Sequence, residues 1–313
     1  MSLDTASTSL IARLRGSSGT VQGILWMIGS TLSFVAVTGI IRYLGSELPA
    51  AQSAFIRYAF GIFLVLPALI RIFRDRMPKD LFAKFAFRGF VHTFGVTLWF
   101  FAMARIPIAE VTAIGYVTPI FVTIGAAVFL GEKLRARRLF GVLMGLTGAL
   151  IILRPGFQEI SIGQFAQLAA GPLFATSYLM TKSFTGKTDS QTIVAMLTVF
   201  CTLFLFPLAL IDWQPPSQHE LIWLFITAIC ATIGHYCMTR ALQAAPVSVT
   251  QPVTFLQLVW ASTLGIVVFN EAVDPFVILG GMVIVGAATF ISHREAKAAR
   301  APITPSSVET KSH

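Results

Sequence analysis

Long apolar segments separated by short polar ones dominate the pattern of this chain. Ten segments have or approach the roughly 20 residues that an α-helix needs to cross about 30 Å of membrane hydrocarbon. None shows the in–out alternation of a barrel strand, and only helices and closed barrels satisfy the backbone polar groups in lipid. The pattern therefore predicts an all-α integral membrane protein with ten transmembrane helices, at residues 21–44, 50–73, 81–104, 109–130, 139–153, 162–182, 190–211, 220–243, 247–269 and 275–292.

The composition supports this class. Of the 313 residues, 55% are apolar and 12% are charged, whereas soluble domains carry about 25% charged residues. A chain of this composition cannot cover the surface of a soluble enzyme, a nucleic-acid-binding protein or a secreted scaffold. The three cysteines lie inside apolar segments, so no disulfide framework is predicted.

Positive charge predicts the orientation of the helices. With the amino terminus in the cytoplasm, 18 of the 23 Lys and Arg residues fall on the cytoplasmic side and three in the outer loops. We expect a multi-pass protein of a bacterial-type inner membrane with both termini in the cytoplasm. The same asymmetry accounts for the net charge of +9 without a nucleic-acid partner.

Glycine, proline and glutamate residues recur at matching positions in the two halves of the chain, which predicts an inverted repeat. Five is an odd number, so two five-helix halves have opposite orientations, as in many carriers. We expect an amino-terminal tail (1–20), two repeats (21–156 and 157–292), and a polar carboxyl-terminal tail (293–313) that is disordered. Shifts of 139 or 140 residues align Gly95 with Gly234, Ala102 with Ala241, Pro107 with Pro246, Glu132 with Glu271, Gly141 with Gly280, and Phe34 with Phe174.

Several segments give a specific resemblance. Residues 109–134 read AEVTAIGYVTPIFVTIGAAVFLGEKL, and a Gly-spaced helix ending in ALIILRPG (149–156) follows them. Together these segments resemble the EamA-type branch of the drug/metabolite transporter superfamily. The pattern recurs in VFNEAVDPFVILGGMVIVGA (268–287), and the resemblance covers 21–292. It implies a solute carrier whose central cavity is formed by the first four helices of each half, with the fifth helix outside.

No enzyme motif accompanies this pattern. HExxH, GxSxG and GxxxxGK[ST] are absent, and all six Asp residues lie in loops or tails, which excludes an aspartyl intramembrane protease. We therefore expect no enzyme activity, no cofactor, no metal and no direct use of ATP. A membrane-embedded lipid-modifying enzyme is the remaining alternative of a different class, and it would turn over its substrate in detergent.

Ionisable residues inside the predicted helices mark candidate binding positions, because such residues usually face a cavity or a partner. Arg88, His92, Gly95 and Trp99 follow at helical spacing and share one face. Arg88 could instead extend to the inner headgroups. Together with polar and aromatic residues of other helices, the predicted substrate-binding set is Arg57, Arg88, His92, Trp99, Tyr116, His235, Gln251, Gln257 and Trp260.

The chemistry of this set favours a solute that is not a cation. A cavity with Arg and His and almost no acid repels cations, and aromatic walls bind planar rings. Two segments are also similar to uptake carriers for riboflavin and for S-adenosylmethionine. They are SAFIRYAFG (53–61) and FRGFVHTFGVTLWFFAMARIPIAE (87–110).

The predicted function is secondary transport of a small metabolite by alternating access, with riboflavin uptake first. Export of amino acids or other metabolites, and S-adenosylmethionine uptake, remain alternatives. The expected partners are the solute and the lipid bilayer. The sequence leaves open the direction of flux, proton coupling and association as a homodimer.

Overall fold

The computed structural model describes residues 19–75, 77–118, 120–122, 136–154, 159–245, 250, 253–272 and 274–299. Ten α-helices are described within these ranges, which confirms the all-helical class. They are α1 (Gly19–Leu44), α2 (Ala50–Asp75), α3 (Lys79–Met103), α4 (Ile108–Gly115), α5 (Ala136–Leu153), α6 (Ile162–Phe184), α7 (Ser190–Leu210), α8 (Gln218–Ala244), α9 (Leu256–Phe269) and α10 (Pro275–Ala299).

Five of the described helices are long and apolar enough to cross a membrane. These are α1, the Ala50–Ile72 part of α2, α3, α7 and α8. Shorter apolar helices lie in α5, α9 and α10. The protein is therefore a multi-pass membrane protein by length and composition, and the number of ten crossings stays a prediction.

Side-chain caps begin three helices of the second half, α6, α7 and α8. Ser161 with Gln164, and Ser217 with Glu220, form capping boxes at α6 and α8, which satisfy backbone N–H groups that have no partner inside the helix. Asp189 caps α7 by accepting the N–H of Thr192. Partial burial acts to raise the pKa of the Asp189 carboxyl, but hydrogen bonds from Thr192 and the nearby Arg71 hold this pKa below its usual value.

Two predicted boundaries differ from the structure. The tail was expected to be disordered from His293, but α10 continues to Ala299. That expectation is wrong for 293–299, because the sequence there is rich in Ala, Glu, Lys and Arg, all strong helix formers. Within the predicted helix 109–130, α4 ends at Gly115 and a turn follows; residues 119 and 123–130 lie outside the described residues.

The helices pair in a pattern with internal symmetry. The most extensive pairings are α1 with α8, α5 with α10, α2 with α7 and α3 with α6. When each helix is replaced by its counterpart five places along the chain, the α1–α8 pair becomes the α6–α3 pair. The same exchange leaves α2–α7 and α5–α10 unchanged. The packing therefore follows a pseudo-twofold relation between the halves.

Glycines allow the closest of these pairings. A Cβ atom at Gly148 would lie 2.7 Å from the carbonyl oxygen of Gly280, and one at Gly280 would lie 2.5 Å from that of Gly148. Such distances are too short for real Cβ atoms, so α5 and α10 cross here with backbone against backbone. Small residues favour this close approach between membrane helices.

Candidate functional site at the centre of the helix bundle

Arg88 lies buried inside the bundle, with only 2% of its surface exposed. Its Nε donates to Oγ of Ser177 on α6 at 3.3 Å, and its Nη1 donates to the carbonyl oxygen of Ile193 on α7 at 3.2 Å. The guanidinium therefore joins α3, α6 and α7 and is enclosed by them.

His92 lies one helical turn further along α3 and uses the same serine. Its Nδ1 is 3.0 Å from Oγ of Ser177. Ser177 thus contacts both polar residues of the α3 face and fixes α3 against α6. This contact leaves the other edge of the imidazole directed towards neighbouring rings.

Five aromatic side chains, of which His92 is one, form a closed cycle of ring contacts. The His92 ring lies 5.7 Å from the His235 ring and 5.2 Å from the Phe174 ring, measured between centroids. Phe34 lies 5.0 Å from His235 and 6.2 Å from Trp99, and Trp99 lies 5.9 Å from Phe174. The contacts are edge-on or tilted, an arrangement that aromatic pairs prefer. The five-ring cluster (Phe34, His92, Trp99, Phe174 and His235) brings together α1, α3, α6 and α8.

A second group of polar atoms lies beside this cluster on α2. The Cζ atom of Arg57 lies 3.8 Å from the centre of the Tyr58 ring, a cation–π contact. The Tyr58 ring lies 6.5 Å from that of His92. Arg57 Nε, Tyr58 Oη and His235 Nδ1 are buried and have no hydrogen-bond partner. Within the described part of the chain, neither Arg57 nor Arg88 forms a salt bridge with a carboxylate.

The structure separates the predicted site residues into two groups. Arg57, Arg88, His92, Trp99 and His235 lie together at the centre. The others lie directly after α4, on α9 and, by sequence, before α9. They are Tyr116, Gln257, Trp260 and Gln251, of which Gln251 lies outside the described residues.

Tyr116 connects α4 to the start of α9. Its hydroxyl donates to the carbonyl oxygens of Thr254 and Phe255, at 3.1 and 3.3 Å. Trp260 packs beside Val35 and Ala261, and its Nε1 is buried without a hydrogen-bond partner. Gln257 is half-buried. Their described contacts hold α9 in place and do not join the five-ring cluster.

Polar contacts also join the helix ends that the charge pattern assigns to the outer face. Glu271 forms a 2.9 Å salt bridge with Arg42 of α1 and accepts the backbone N–H of Ile108 at 2.9 Å. Glu110 accepts a hydrogen bond from Gln164, and Arg154 pairs with Asp274. These contacts hold the first and last turns of α1, α4, α6, α9 and α10 together.

Sequence reasoning missed four residues of the central site: Ser177, Tyr58, Phe34 and Phe174. Ser177 and Tyr58 give no pattern that distinguishes them from structural residues of a membrane helix. Phe34 and Phe174 were aligned with each other by the repeat. A Cβ atom at Gly95 would lie 3.2 Å from Phe174, and one at Gly234 would lie 3.3 Å from Phe34. The aligned pairs therefore meet in space, each glycine against a phenylalanine of the other half.

Long apolar helices around a buried polar and aromatic cluster define a multi-pass α-helical membrane protein with a polar centre. Comparison with known proteins gives the family. The chain belongs to the EamA-like transporter family, whose model matches residues 21–154 and 161–293.

Characterised relatives are similar over nearly the full length. A riboflavin transporter of Rhizobium johnstonii is 30% identical over 288 residues, which cover 91% of this chain and 95% of the relative. A riboflavin transporter of Vibrio cholerae is 29% identical over 90% of this chain and 96% of the relative. An S-adenosylmethionine uptake transporter of Rickettsia bellii is 26% identical over 88% of this chain and 95% of the relative.

A solved structure described as "Crystal structure of protein" matches with a TM-score of 0.60 at 17% identity, and it covers 90% of this chain and 99% of that chain. This match supports the fold alone. The family and the relatives together indicate a small-molecule transporter and not an enzyme.

Proposed function

We propose that this protein is a secondary transporter that takes up riboflavin across a bacterial inner membrane by alternating access. The observation that carries the proposal is the central cluster: five aromatic rings in mutual contact beside two buried guanidinium groups. Planar rings stack on aromatic side chains, and carbonyl oxygens accept hydrogen bonds from guanidinium groups. The tricyclic ring of riboflavin is planar and uncharged, and it carries two carbonyl oxygens, so it offers both features.

The pairing of the helices supports the architecture on which this mechanism depends. We propose ten membrane crossings, with two inverted repeats at 21–156 and 157–292 and both tails in the cytoplasm. The pseudo-twofold exchange of helix pairs and the excess of Lys and Arg on one side support this arrangement. In other carriers, inverted repeats place the solute site between the halves, near the middle of the membrane.

The proposed binding set keeps all nine predicted residues in two roles. Arg57, Arg88, His92, Trp99 and His235 contact the solute at the centre. The remaining residues line its route along α4 and α9. They are Tyr116, Gln251, Gln257 and Trp260.

Uptake of labelled riboflavin by riboflavin-requiring bacterial cells tests this function. Cells that express the protein should accumulate the label faster than cells with an empty vector. His92→Ala and Trp99→Ala should each lower the initial rate about tenfold, because each opens the five-ring cluster. Trp223→Ala, at the start of α8 beside Tyr43 and His219, is the matched control. Uptake equal to that of the empty vector excludes riboflavin as the substrate.

Export is the second candidate, because a pseudopaline exporter of Pseudomonas aeruginosa is 24% identical over 277 residues of the same fold family. An exporter of amino acids or other metabolites would make overexpressing cells resistant to toxic analogues. S-adenosylmethionine uptake fits the site less well, since its sulfonium cation would meet two guanidinium groups. Resistance without riboflavin uptake would favour the export function.

A further inference from the structure

Three buried polar atoms without a hydrogen-bond partner belong to residues that lie beside or within the five-ring cluster. They are Arg57 Nε, Tyr58 Oη and His235 Nδ1. Arg57 lies over the Tyr58 ring, the Tyr58 ring faces His92, and His92 faces His235. Native proteins rarely leave buried polar groups unpaired, so these three atoms are candidates for hydrogen bonds with a solute.

Arg57 differs from Arg88 in how its charge is satisfied. Arg88 donates hydrogen bonds to Ser177 and to the carbonyl oxygen of Ile193. Arg57 is 5% exposed, and its described contact is the face of the Tyr58 ring. Arg57 Nε is buried without a hydrogen-bond partner, and a buried donor left unpaired is costly. The Arg57 guanidinium therefore retains donor capacity that a bound solute can use.

The chemistry of the three atoms defines what they bind. A guanidinium only donates hydrogen bonds, and a phenol hydroxyl and a neutral imidazole can each donate one. Their complement is a set of oxygen acceptors. The planar fork of the guanidinium matches the two oxygens of a carboxylate. Two carbonyl groups of one ring lie further apart, and each can accept from a different donor of the three. A cation in the same place would meet the charges of Arg57 and Arg88.

We propose that Arg57, the Tyr58 hydroxyl and His235 Nδ1 form a donor subsite that binds paired carbonyl-type oxygens on a planar ring and rejects planar cations. This inference rests on the proposed transport function, because it assigns one part of the solute to one part of the central site. It adds Tyr58 to the predicted site and gives Arg57 the role of selecting the solute by charge.

Binding measured by calorimetry on the full-length protein in detergent tests the subsite, with three planar tricyclic probes of different charge. Lumichrome carries two ring carbonyls and no charge, anthracene-2-carboxylate carries a carboxylate, and 9-aminoacridine is a cation. The unaltered protein should bind at least one of the first two tenfold more tightly than 9-aminoacridine. The tighter of these two shows whether the acceptor is an uncharged pair of carbonyls or an anion.

Arg57→Gln should weaken binding of the oxygen-bearing probe at least tenfold and should remove the discrimination against 9-aminoacridine. Arg105→Gln is the matched control, because Arg105 also lies over a ring, that of Phe101 at 3.7 Å, but is exposed.

Tyr58→Phe keeps the ring under the guanidinium and removes the hydroxyl. It should weaken binding about threefold or more, and it decides the question where Arg57→Gln does not fold.

Three results would overturn the subsite: equal affinities for the three probes, no binding of either oxygen-bearing probe, or unchanged affinity in both Arg57→Gln and Tyr58→Phe. The riboflavin uptake assay is independent of these measurements. Riboflavin uptake with unchanged probe binding in the variants refutes the subsite and leaves the transport function standing. Selective binding of an oxygen-bearing probe without riboflavin uptake refutes riboflavin and leaves the subsite standing.

Discussion

Ser177 is the residue on which the polar centre depends most directly. One hydroxyl contacts both Arg88 Nε and His92 Nδ1, and these two side chains lie a helical turn apart on α3. Without this hydroxyl, two buried polar groups lose a partner at once. An unsatisfied buried group costs about 1–3 kcal/mol, so the effect should be measurable in the folded protein.

We expect Ser177→Ala to lower the free energy of unfolding by about 1–3 kcal/mol and to slow transport. Thermal and denaturant unfolding of the detergent-solubilised protein give the first quantity, and solute uptake gives the second. Ser183→Ala is the matched control, since Ser183 is an exposed serine of the same helix that bonds the carbonyl oxygen of Met180. A stability equal to that of the control would show that Ser177 does not hold the centre.

For single residues, the sequence predicted the polar and aromatic face of α3 well but did not predict which residues of other helices contact it. Helical spacing placed His92 and Trp99 on one side of α3, and both take part in the five-ring cluster. Spacing within a helix cannot say which other helix meets that face. Ser177 and Phe174 belong to α6 and Tyr58 belongs to α2, so the spacing along α3 could not identify them.

Helix ends were predictable where a local cap forms them. Ser161 and Ser217 are each followed three residues later by Gln or Glu, and α6 and α8 begin directly after them. The end of α4 was not predictable in the same way. The apolar run 109–130 is uniform in hydropathy. It contains Gly115 and Pro119, which disfavour a continuous helix but do not fix the residue at which α4 ends.

The crossing of α5 and α10 leaves no room for a side chain at Gly148 or Gly280. We expect Gly280→Ala to lower the free energy of unfolding by about 1–3 kcal/mol, the usual cost of overpacking, because the added methyl group would lie 2.5 Å from the carbonyl oxygen of Gly148. The helices must separate to admit it. Denaturant unfolding in detergent measures the change.

Gly286→Ala on the same helix is the control for this prediction. No atom lies within 4 Å of a Cβ atom built at Gly286, and alanine is the better helix former. The control should therefore be as stable as the unaltered protein or slightly more stable. Equal stability of the two variants would mean that α5 and α10 have room to separate without cost.

The whole molecule combines two equivalent contacts around one centre. Gly95 packs against Phe174 between α3 and α6, and Gly234 packs against Phe34 between α8 and α1, with almost the same clearance. Both phenylalanines also touch Trp99 and a histidine of the five-ring cluster. The contacts that relate the two halves are thus the contacts that surround the proposed solute site.

If the halves exchange conformations during transport, these two contacts open in turn, one for each side of the membrane. We therefore expect Gly95→Ala and Gly234→Ala to slow uptake to a similar extent but to loosen opposite ends of the bundle. Hydrogen–deuterium exchange followed by mass spectrometry distinguishes the ends. One variant should increase the exchange rate of backbone amides at the end of the bundle where α4 begins and α9 ends. The other variant should increase it at the opposite end, where α6 ends and α7 begins. Gly286→Ala should change the exchange rate at neither end. Faster exchange at the same end in both variants would contradict alternating use of the two contacts, and with it the pseudo-twofold mechanism.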